Sequence, residues 1–374
     1  MASAAPPRHV HIEALRTAQP PSRVEPGLAR PVSVAAPPLP AAALQRRARV
    51  VLYYRAAADG EPAPWNPEEA LLAKESLSET VAEYPEMAGR LRRRADGSWE
   101  VKLNDTGIRL VLATVEATVD DFVGGEDTKR WEAALAPWTD VDAEDPDMCA
   151  LCYVQLTRFQ GDGGYAVGVS CSLMLCDPVS LARFLLSWAR AHAEMKAQNK
   201  LATNPMLQYA SYFQRPEIMT RRVKSVPLDA FAAADGDAKK TVLFRAAASC
   251  TGADHRALAA ACVDEAADAA GKNNKVPRFS LIVVAREGVG DNPRGMSVET
   301  CTADDRGLQQ AAANGGHKNK LEVAQWKDLG LEEFALRGSK PVHVSCTIVT
   351  GGDEGLVVVM PDGKGLLVTV TVPK

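Results

Sequence analysis

Histidine is scarce in this chain, with six in 374 residues. No apolar run approaches the ~18 residues that a membrane-spanning helix needs. An excess of basic charge is also missing. The 43 basic and 47 acidic residues leave a net charge of −4, which provides no electrostatic footprint for nucleic acid. The one basic cluster, Arg90 to Arg94 (RLRRR), reads as a solvated strand end rather than a phosphate grip. The first 45 residues are rich in Ala and Pro and contain no continuous apolar stretch of the kind a secretory signal carries. Eight cysteines are present, but they are scattered and mostly sit in apolar runs such as VSCSLMLC, Val169 to Cys176. Buried free thiols in a reducing compartment are the expectation. Cys149 and Cys152 form a lone CxxC with no second pair and no nearby histidine, so core thiols are favoured over zinc or redox use. The glycine-rich stretches GDGG, GVGDNPRG and GGDEG lack the P-loop and dinucleotide patterns. No two histidines have metal-ligand spacing.

What remains is an ordinary globular mixture, 46% hydrophobic and 24% charged, of a length that suits two domains. Residues 1–45 read as a Pro/Ala-rich arm with one or two early strands. Arg47 to Ala56 is strand-like, rich in Val and Tyr. A helix follows. Asn66 is placed to cap it, Pro67 suits its first position, and Glu68 and Glu69 fall in its first turn. Leu71, Leu72, Leu77 and Val81 form its core-facing stripe, and Pro85 ends it. The segment from Trp99 to Phe122 predicts a strand, an Asn-Asp-Thr-Gly turn and a second strand. Residues 150–172 repeat that pattern around Gly161 to Gly164. A helix then starts after Asp177. Residues 1–200 therefore form an expected first domain. Residues 201–240 show little periodicity and are expected to be a crossover connection. The expected second domain, 241–374, has a strand, an Ala-rich helix, another strand and a closing meander that turns near Gly351–Gly355 and Pro361–Gly365. Each half is α+β, a sheet backed by helices.

Several stretches carry a family resemblance. LLAKESLSETVAEYPEMAGRL (Leu71 to Leu91) resembles the helix and YPLAGRL signature of the plant BAHD acyltransferases. NDTGIRLVLATVEATVDDF (Asn104 to Phe122) and VQLTRFQGDGGYAVGVSCS (Val154 to Ser172) are similar to that family's next strands. DPVSLARFLLSWA (Asp177 to Ala189) matches the helix after its H-x-x-x-D-G motif, and GSKPVHV (Gly338 to Val344) sits where it has D-F-G-W-G-x-P. KLNDTGIRLV (Lys102 to Val111) and the run from Leu336 to Pro361 further resemble the eceriferum/glossy wax-biosynthesis branch. The resemblance implies two chloramphenicol-acetyltransferase-like domains, each a mixed β-sheet backed by helices, with a pocket between them.

The resemblance also exposes two departures. The histidine of the family motif is a general base, which takes the proton from an acceptor that then attacks an acyl-CoA thioester. Four residues before Asp177 stands Leu173, and leucine accepts no proton at any pH. Pro178 replaces the glycine. Ser170, Ser172 and Cys176 are close by, but a lone hydroxyl without an activator is a poor base. Losing a general base typically costs roughly 10²–10⁴-fold in rate. The second motif keeps only its Lys-Pro end, in ALRGSKP (Ala335 to Pro341). The family aspartate pairs with an arginine of the second half, which implies an Asp177–Arg286 ion pair. A local alternative has Asp177 capping the helix, and both can hold together. Leu173, Ser172 and Cys176 are the pocket candidates. His343 is the substitute base if there is one. His192 reads as surface or partly buried, His9 and His11 lie in the arm, and His255 and His317 lie among polar residues.

Three functions compete. The first is a catalytically degenerate BAHD-like accessory factor in very-long-chain fatty acid elongation for cuticular wax. It would work with a membrane-bound condensing enzyme, in the cytoplasm at the cytosolic face of the endoplasmic reticulum. Its pocket would hold an acyl chain or acyl-CoA, with no other cofactor and no metal. The second is an acyl-CoA-dependent acyltransferase with an atypical centre. The third is a scaffold or small-molecule sensor on the same fold.

Overall fold

The computed structural model describes residues 8–35, 39–56, 67–124, 128–198, 223–231, 239–246, 255–269, 278–285, 295–302, 321–363 and 365–373. Most of the expected 201–240 connection and the cap residue Asn66 lie outside them. In chain order the strands are β1 (His9–Ala18), β2 (Ala29–Val34), β3 (Arg47–Tyr54), β4 (Arg90–Arg93), β5 (Trp99–Lys102), β6 (Ile108–Val115), β7 (Cys152–Phe159) and β8 (Tyr165–Ser172). They continue as β9 (Lys224–Pro227), β10 (Lys239–Ala246), β11 (Arg278–Val284), β12 (Met296–Thr302), β13 (Leu321–Ala324), β14 (His343–Val349), β15 (Gly355–Asp362) and β16 (Gly365–Pro373). The helices are α1 (Ala41–Leu44), α2 (Pro67–Glu83), α3 (Val119–Val123), α4 (Thr128–Leu135), α5 (Pro178–Ala197) and α6 (His255–Ala269).

Among the described residues the strands form two mixed sheets. The first runs β14-β3-β8-β7-β6-β1-β9 and the second β13-β10-β16-β15-β11-β12-β2-β5-β4. Pairing is antiparallel except at β6–β7, β11–β15 and β2–β12. The expected α+β architecture, two mixed sheets backed by helices, is the observed one. The sheets interleave the two halves of the chain. β2, β4 and β5, from the first hundred or so residues, complete the second sheet, and β14 from the C-terminal part completes the first.

That interleaving corrects two local expectations. The strands flanking the Asn-Asp-Thr-Gly turn do not form a hairpin, because β5 lies in the second sheet and β6 in the first. The turn is closed by its own side chain: Asn104 Oδ1 accepts from the Thr106 N–H at 3.2 Å and from the Thr106 hydroxyl at 2.5 Å. Gly107 completes it at φ +78°, where a Cβ would overlap the Ala18 carbonyl oxygen. The closing meander is likewise divided. β15 and β16 are a hairpin in the second sheet, whereas β14 pairs with β3 along its whole length.

The inner faces of both sheets share one apolar core with α2 and α5. It includes Leu77 and Val81 of α2, Leu181 and Trp188 of α5, Val50 and Val167 of the first sheet, and Ile282 and Val358 of the second. The outer face of the first sheet packs around Tyr53, Phe122, Leu135 and Phe159. α6 covers the outer face of the second with Leu258, Cys262 and Ala266. The helical stripe Leu71, Leu72, Leu77 and Val81 is buried as its spacing predicts. Arg90 departs from the expected solvated strand end. It is buried and donates to the carbonyls of Ala88, Gly89 and Gly107. Arg92 and Arg94 do reach solvent, and both ion-pair with the buried Glu100.

At Gly168 of β8 the backbone at the end of α4 comes so close that a Cβ would overlap the Leu135 carbonyl oxygen. Gly168→Ala should therefore cost about 3 kcal/mol by overpacking. Gly124→Ala, whose Cβ would sit 3.5 Å from the Asp120 carbonyl, should stay within about 0.5 kcal/mol of the parent. Chemical denaturation of the two variants side by side tests the difference.

Candidate functional site

β8 is buried at all eight positions, and its last residue, Ser172, lies opposite Arg47 at the start of β3. From there the chain turns through Leu173 to Cys176 into α5. The turn is stitched to its surroundings by main-chain hydrogen bonds. The Leu173 N–H donates to the Arg46 carbonyl at 2.9 Å, and the N–H groups of Leu175 and Cys176 donate to the Ser172 carbonyl. The Ser172 hydroxyl accepts from the Met174 N–H at 3.2 Å. It is therefore engaged within the turn.

Asp177 is the N-cap of α5. Its Oδ1 accepts from the N–H groups of Val179 at 2.9 Å and Ser180 at 3.0 Å, and its Oδ2 accepts from the Ser180 hydroxyl at 2.6 Å. Pro178 takes the first helical position, where no N–H is needed. The local role expected of Asp177 is thus present, and both carboxylate oxygens are occupied by it. Arg286 lies outside the described residues. A different arginine reaches this turn: Arg30 of β2, 6% exposed, donates from Nη2 to the Met174 carbonyl at 2.6 Å. Burial pushes its guanidinium below the usual arginine range, against the fields of Cys176, Glu86 and Asp177. Its Nε finds no hydrogen-bond partner among the described residues. An arm strand in the second sheet thereby holds a loop of the first. A single arginine among small and apolar residues gives no periodic signal, so the sequence offered little to find it by.

Leu173 is 1% exposed and belongs to the core shared by the two sheets. Ser172 and Cys176 are buried as well. The three pocket candidates come together, but they lie under packed side chains. Cys152, directly opposite Cys171 on the neighbouring strand, completes a small thiol cluster. Hydrogen bonds with Cys152 and Cys176, together with burial, push the Cys171 thiol well up, which keeps it protonated and unreactive. Cys149 turns instead toward the backbone of residues 142–145. Among the described residues no group of His, Cys, Asp or Glu is arranged to hold a metal ion.

A cavity of about 770 Å³ lies elsewhere. It opens where β3 and β14 meet α4 and β10, lined by Arg47, Arg49, Glu132, Trp138, Lys239 and Thr347, among others. The Arg47 guanidinium sits 5.2 Å from the Trp138 ring centroid. Arg47, Arg49 and Thr347 face α4, on the opposite side of the first sheet from Leu173. A second, more open groove of about 700 Å³ runs along α5. Residues 172–177 line neither.

None of the five described histidines reaches the turn. His343 pairs with Tyr53, six residues along β3 from Arg47, which is roughly 20 Å. Its ring lies tilted beside that of Tyr53, on the face of the sheet away from Leu173. The structure therefore does not bring His343 to the site where a substitute base would act. His9 and His11 both contact Glu116, just past the end of β6, and His255 begins α6. His192 is buried rather than surface-exposed, with Nδ1 3.2 Å from the Ser76 hydroxyl, which also accepts from Trp188 Nε1. It lies fifteen residues along α5 from Asp177, roughly 22 Å away. His317 lies outside the described residues.

The segment at Ala335 to Pro341 is ordered by aromatic hydroxyls. The hydroxyls of the stacked Tyr54 and Tyr165 rings, 4.3 Å apart, donate to the carbonyls of Phe334 and Leu336. Arg337 adopts φ +55°, lies over the Tyr165 ring and contacts Glu69. No described helix is long and apolar enough to cross a membrane.

Comparison with known proteins places these features. The sequence model of the Transferase family matches residues 49–249. Agmatine hydroxycinnamoyltransferase 1 of Oryza sativa subsp. japonica is 37% identical over 130 residues, covering 35% of this chain and 27% of that protein. Protein ECERIFERUM 26-like of Arabidopsis thaliana is 32% identical over 120 residues, 32% of this chain and 28% of that protein. The matched stretch thus spans little more than a quarter of these curated relatives. Among solved structures, vinorine synthase aligns over 98% of this chain and 95% of its own, at 15% identity and a TM-score of 0.48.

Burial holds the His192 pKa down at about 4, below the 6.5 of a free histidine. The unfolded chain therefore takes up this proton below pH 6.5, and the folded chain only below about 4. Stability should fall as pH is lowered from about 6.5 to about 4. His192→Gln should flatten that part of the profile, and urea denaturation at a series of pH values measures it.

Proposed function

This chain belongs to the Transferase family, that of the BAHD acyltransferases, and on that premise we propose that it is a member without a general base. Its role in this reading is that of an accessory factor in very-long-chain fatty acid elongation for cuticular wax. It would act beside a membrane-bound condensing enzyme at the cytosolic face of the endoplasmic reticulum. The observation that carries the reading is Leu173. A leucine stands four residues before Asp177, 1% exposed, with its N–H bonded to Arg46 and no described histidine beside it. General-base chemistry needs a group that can take up a proton within hydrogen-bond reach of the acceptor, and this position supplies neither the group nor the opening. The loop has nonetheless kept its cap and its fold, as expected if selection acts on shape rather than turnover. The ECERIFERUM 26-like relative supports the wax assignment, alongside the Lys102-to-Val111 and Leu336-to-Pro361 resemblances. An acyl chain or acyl-CoA in the 770 Å³ cavity would lie across the first sheet from Leu173, where binding could persist without transfer.

The hydroxycinnamoyltransferases among the relatives favour a second reading, an acyl-CoA-dependent acyltransferase with an atypical centre. Purified chain given an acyl-CoA and a panel of alcohol and amine acceptors separates the two. The accessory reading expects CoA release at background, both for the parent and for Leu173→His, whose imidazole would enter packed core. Release above background in the parent would sink it. Co-expression in yeast with a plant condensing enzyme tests the positive claim. Longer fatty acids are expected, and the shift should survive Asp177→Asn, which keeps an oxygen for the helix cap. An unchanged chain-length profile with every condensing enzyme tried would overturn the proposal.

A further inference from the structure

α5 is buried along most of its length, at Leu181, Phe184, Leu185, Trp188 and Met195 among others, yet one stripe stays open. Arg183, Leu186, Arg190 and Ala193 follow one another at intervals of three, four and three residues, so they share a single face. Arg183, Arg190 and Ala193 are exposed and Leu186 is half-buried. This face floors the open groove of about 700 Å³, whose walls are Tyr84 at the end of α2 and the segment around Glu333 and Ala335.

The charge on the groove is one-sided. Arg190 donates from Nη2 to the Ser187 hydroxyl at 2.9 Å, and the Tyr84 hydroxyl lies 3.0 Å from that same oxygen. Among the described residues no carboxylate forms an ion pair with Arg190. Among the described residues Arg183 has only a 4.0 Å contact with Asp362, which sits closer to Arg245 at 3.6 Å. The one acidic residue among the described lining residues, Glu333, is taken up by Lys340 at 2.5 Å. Two guanidinium groups therefore flank an apolar strip, seven residues apart on one helix, roughly 10 Å. Guanidinium recognises carboxylate in a fork geometry, and such pairs orient a partner more than they add affinity.

We propose that this groove is the docking site for an acidic amphipathic helix of the partner protein. Its apolar side would lie against Leu186 and Ala193, and two carboxylates about two turns apart would pair with Arg183 and Arg190. Helix-in-groove recognition uses this kind of anchor spacing. The inference rests on the accessory reading above, in which the partner is the membrane-bound condensing enzyme. It names the face that meets it, one that is remote from the Leu173 turn.

The test uses the full chain co-expressed in yeast with an affinity-tagged condensing enzyme. Both co-purification of the chain and the fatty-acid profile are read. The parent should co-purify and lengthen the acyl chains. Arg183→Glu/Arg190→Glu should lose co-purification about tenfold or more and lose the chain-length shift. Arg183→Lys/Arg190→Lys should retain most of both. Both arginines are exposed, so the melting midpoint of the Glu variant should match the parent. If the Glu variant does not fold, Arg183→Gln/Arg190→Gln takes its place with the same expected loss. A parent that works, beside charge-reversed variants that work equally well, would overturn the groove and leave the accessory reading standing. A parent that neither co-purifies nor shifts the profile would overturn both.

Discussion

Everything around the loop depends on the main-chain pairing of β3. All eight of its residues are buried, and it bonds to β8 on one side and β14 on the other. A strand buried on both faces must place every N–H and C=O in a neighbour, because an orphaned group there would cost as much as a lost hydrogen bond. The residue just before it, Arg46, extends that pairing by one bond, to Leu173. Its guanidinium meanwhile reaches Ser280 of the second sheet at 2.6 Å, and burial lowers its pKa to about 10. One short stretch thus fixes the loop, the first sheet and the contact between sheets.

Local elements were legible in the sequence wherever periodicity and turn chemistry agreed. The α2 stripe, the β7–β8 turn at Gly161–Gly164 and the Asp177-Pro178 helix start all rest on interactions within a few residues. Strand partnership was not legible. The Asn-Asp-Thr-Gly turn looks like a hairpin because nothing in ten residues of sequence says that the next strand joins a different sheet. β14 looks like part of a meander for the same reason. Its true neighbour, β3, lies almost three hundred residues earlier, and pairing over such a separation leaves no local mark.

The same limit applied to the site. The family resemblance singled out Leu173, and the helix-capping role of Asp177 could be read from the residues that follow it. That Leu173 is sealed into the core could not, because it depends on α2, α5 and both sheets converging there. Nor could the Arg30 contact, which needs β2 to sit in the second sheet and point across. His343, offered as a substitute base through the family resemblance, shows the same limit: β14 pairs antiparallel to β3, which carries it to the far end and the opposite face from Leu173. His192 is hidden because helix α5 turns that side toward Ser76 of α2.

The late position of β14 has a consequence for how the chain is made. Residues 343–349 of 374 supply the strand that covers one edge of β3. During synthesis the growing chain must add almost three hundred residues after β3 before that edge is closed. Until then β3, a Val- and Tyr-rich strand, presents a row of unpaired amides and carbonyls that could template wrong pairing. The cell must therefore shelter a nascent chain whose first sheet keeps an open edge long after β3 is made, so a ribosome that stalls before residue 343 would release a polypeptide with that edge bare.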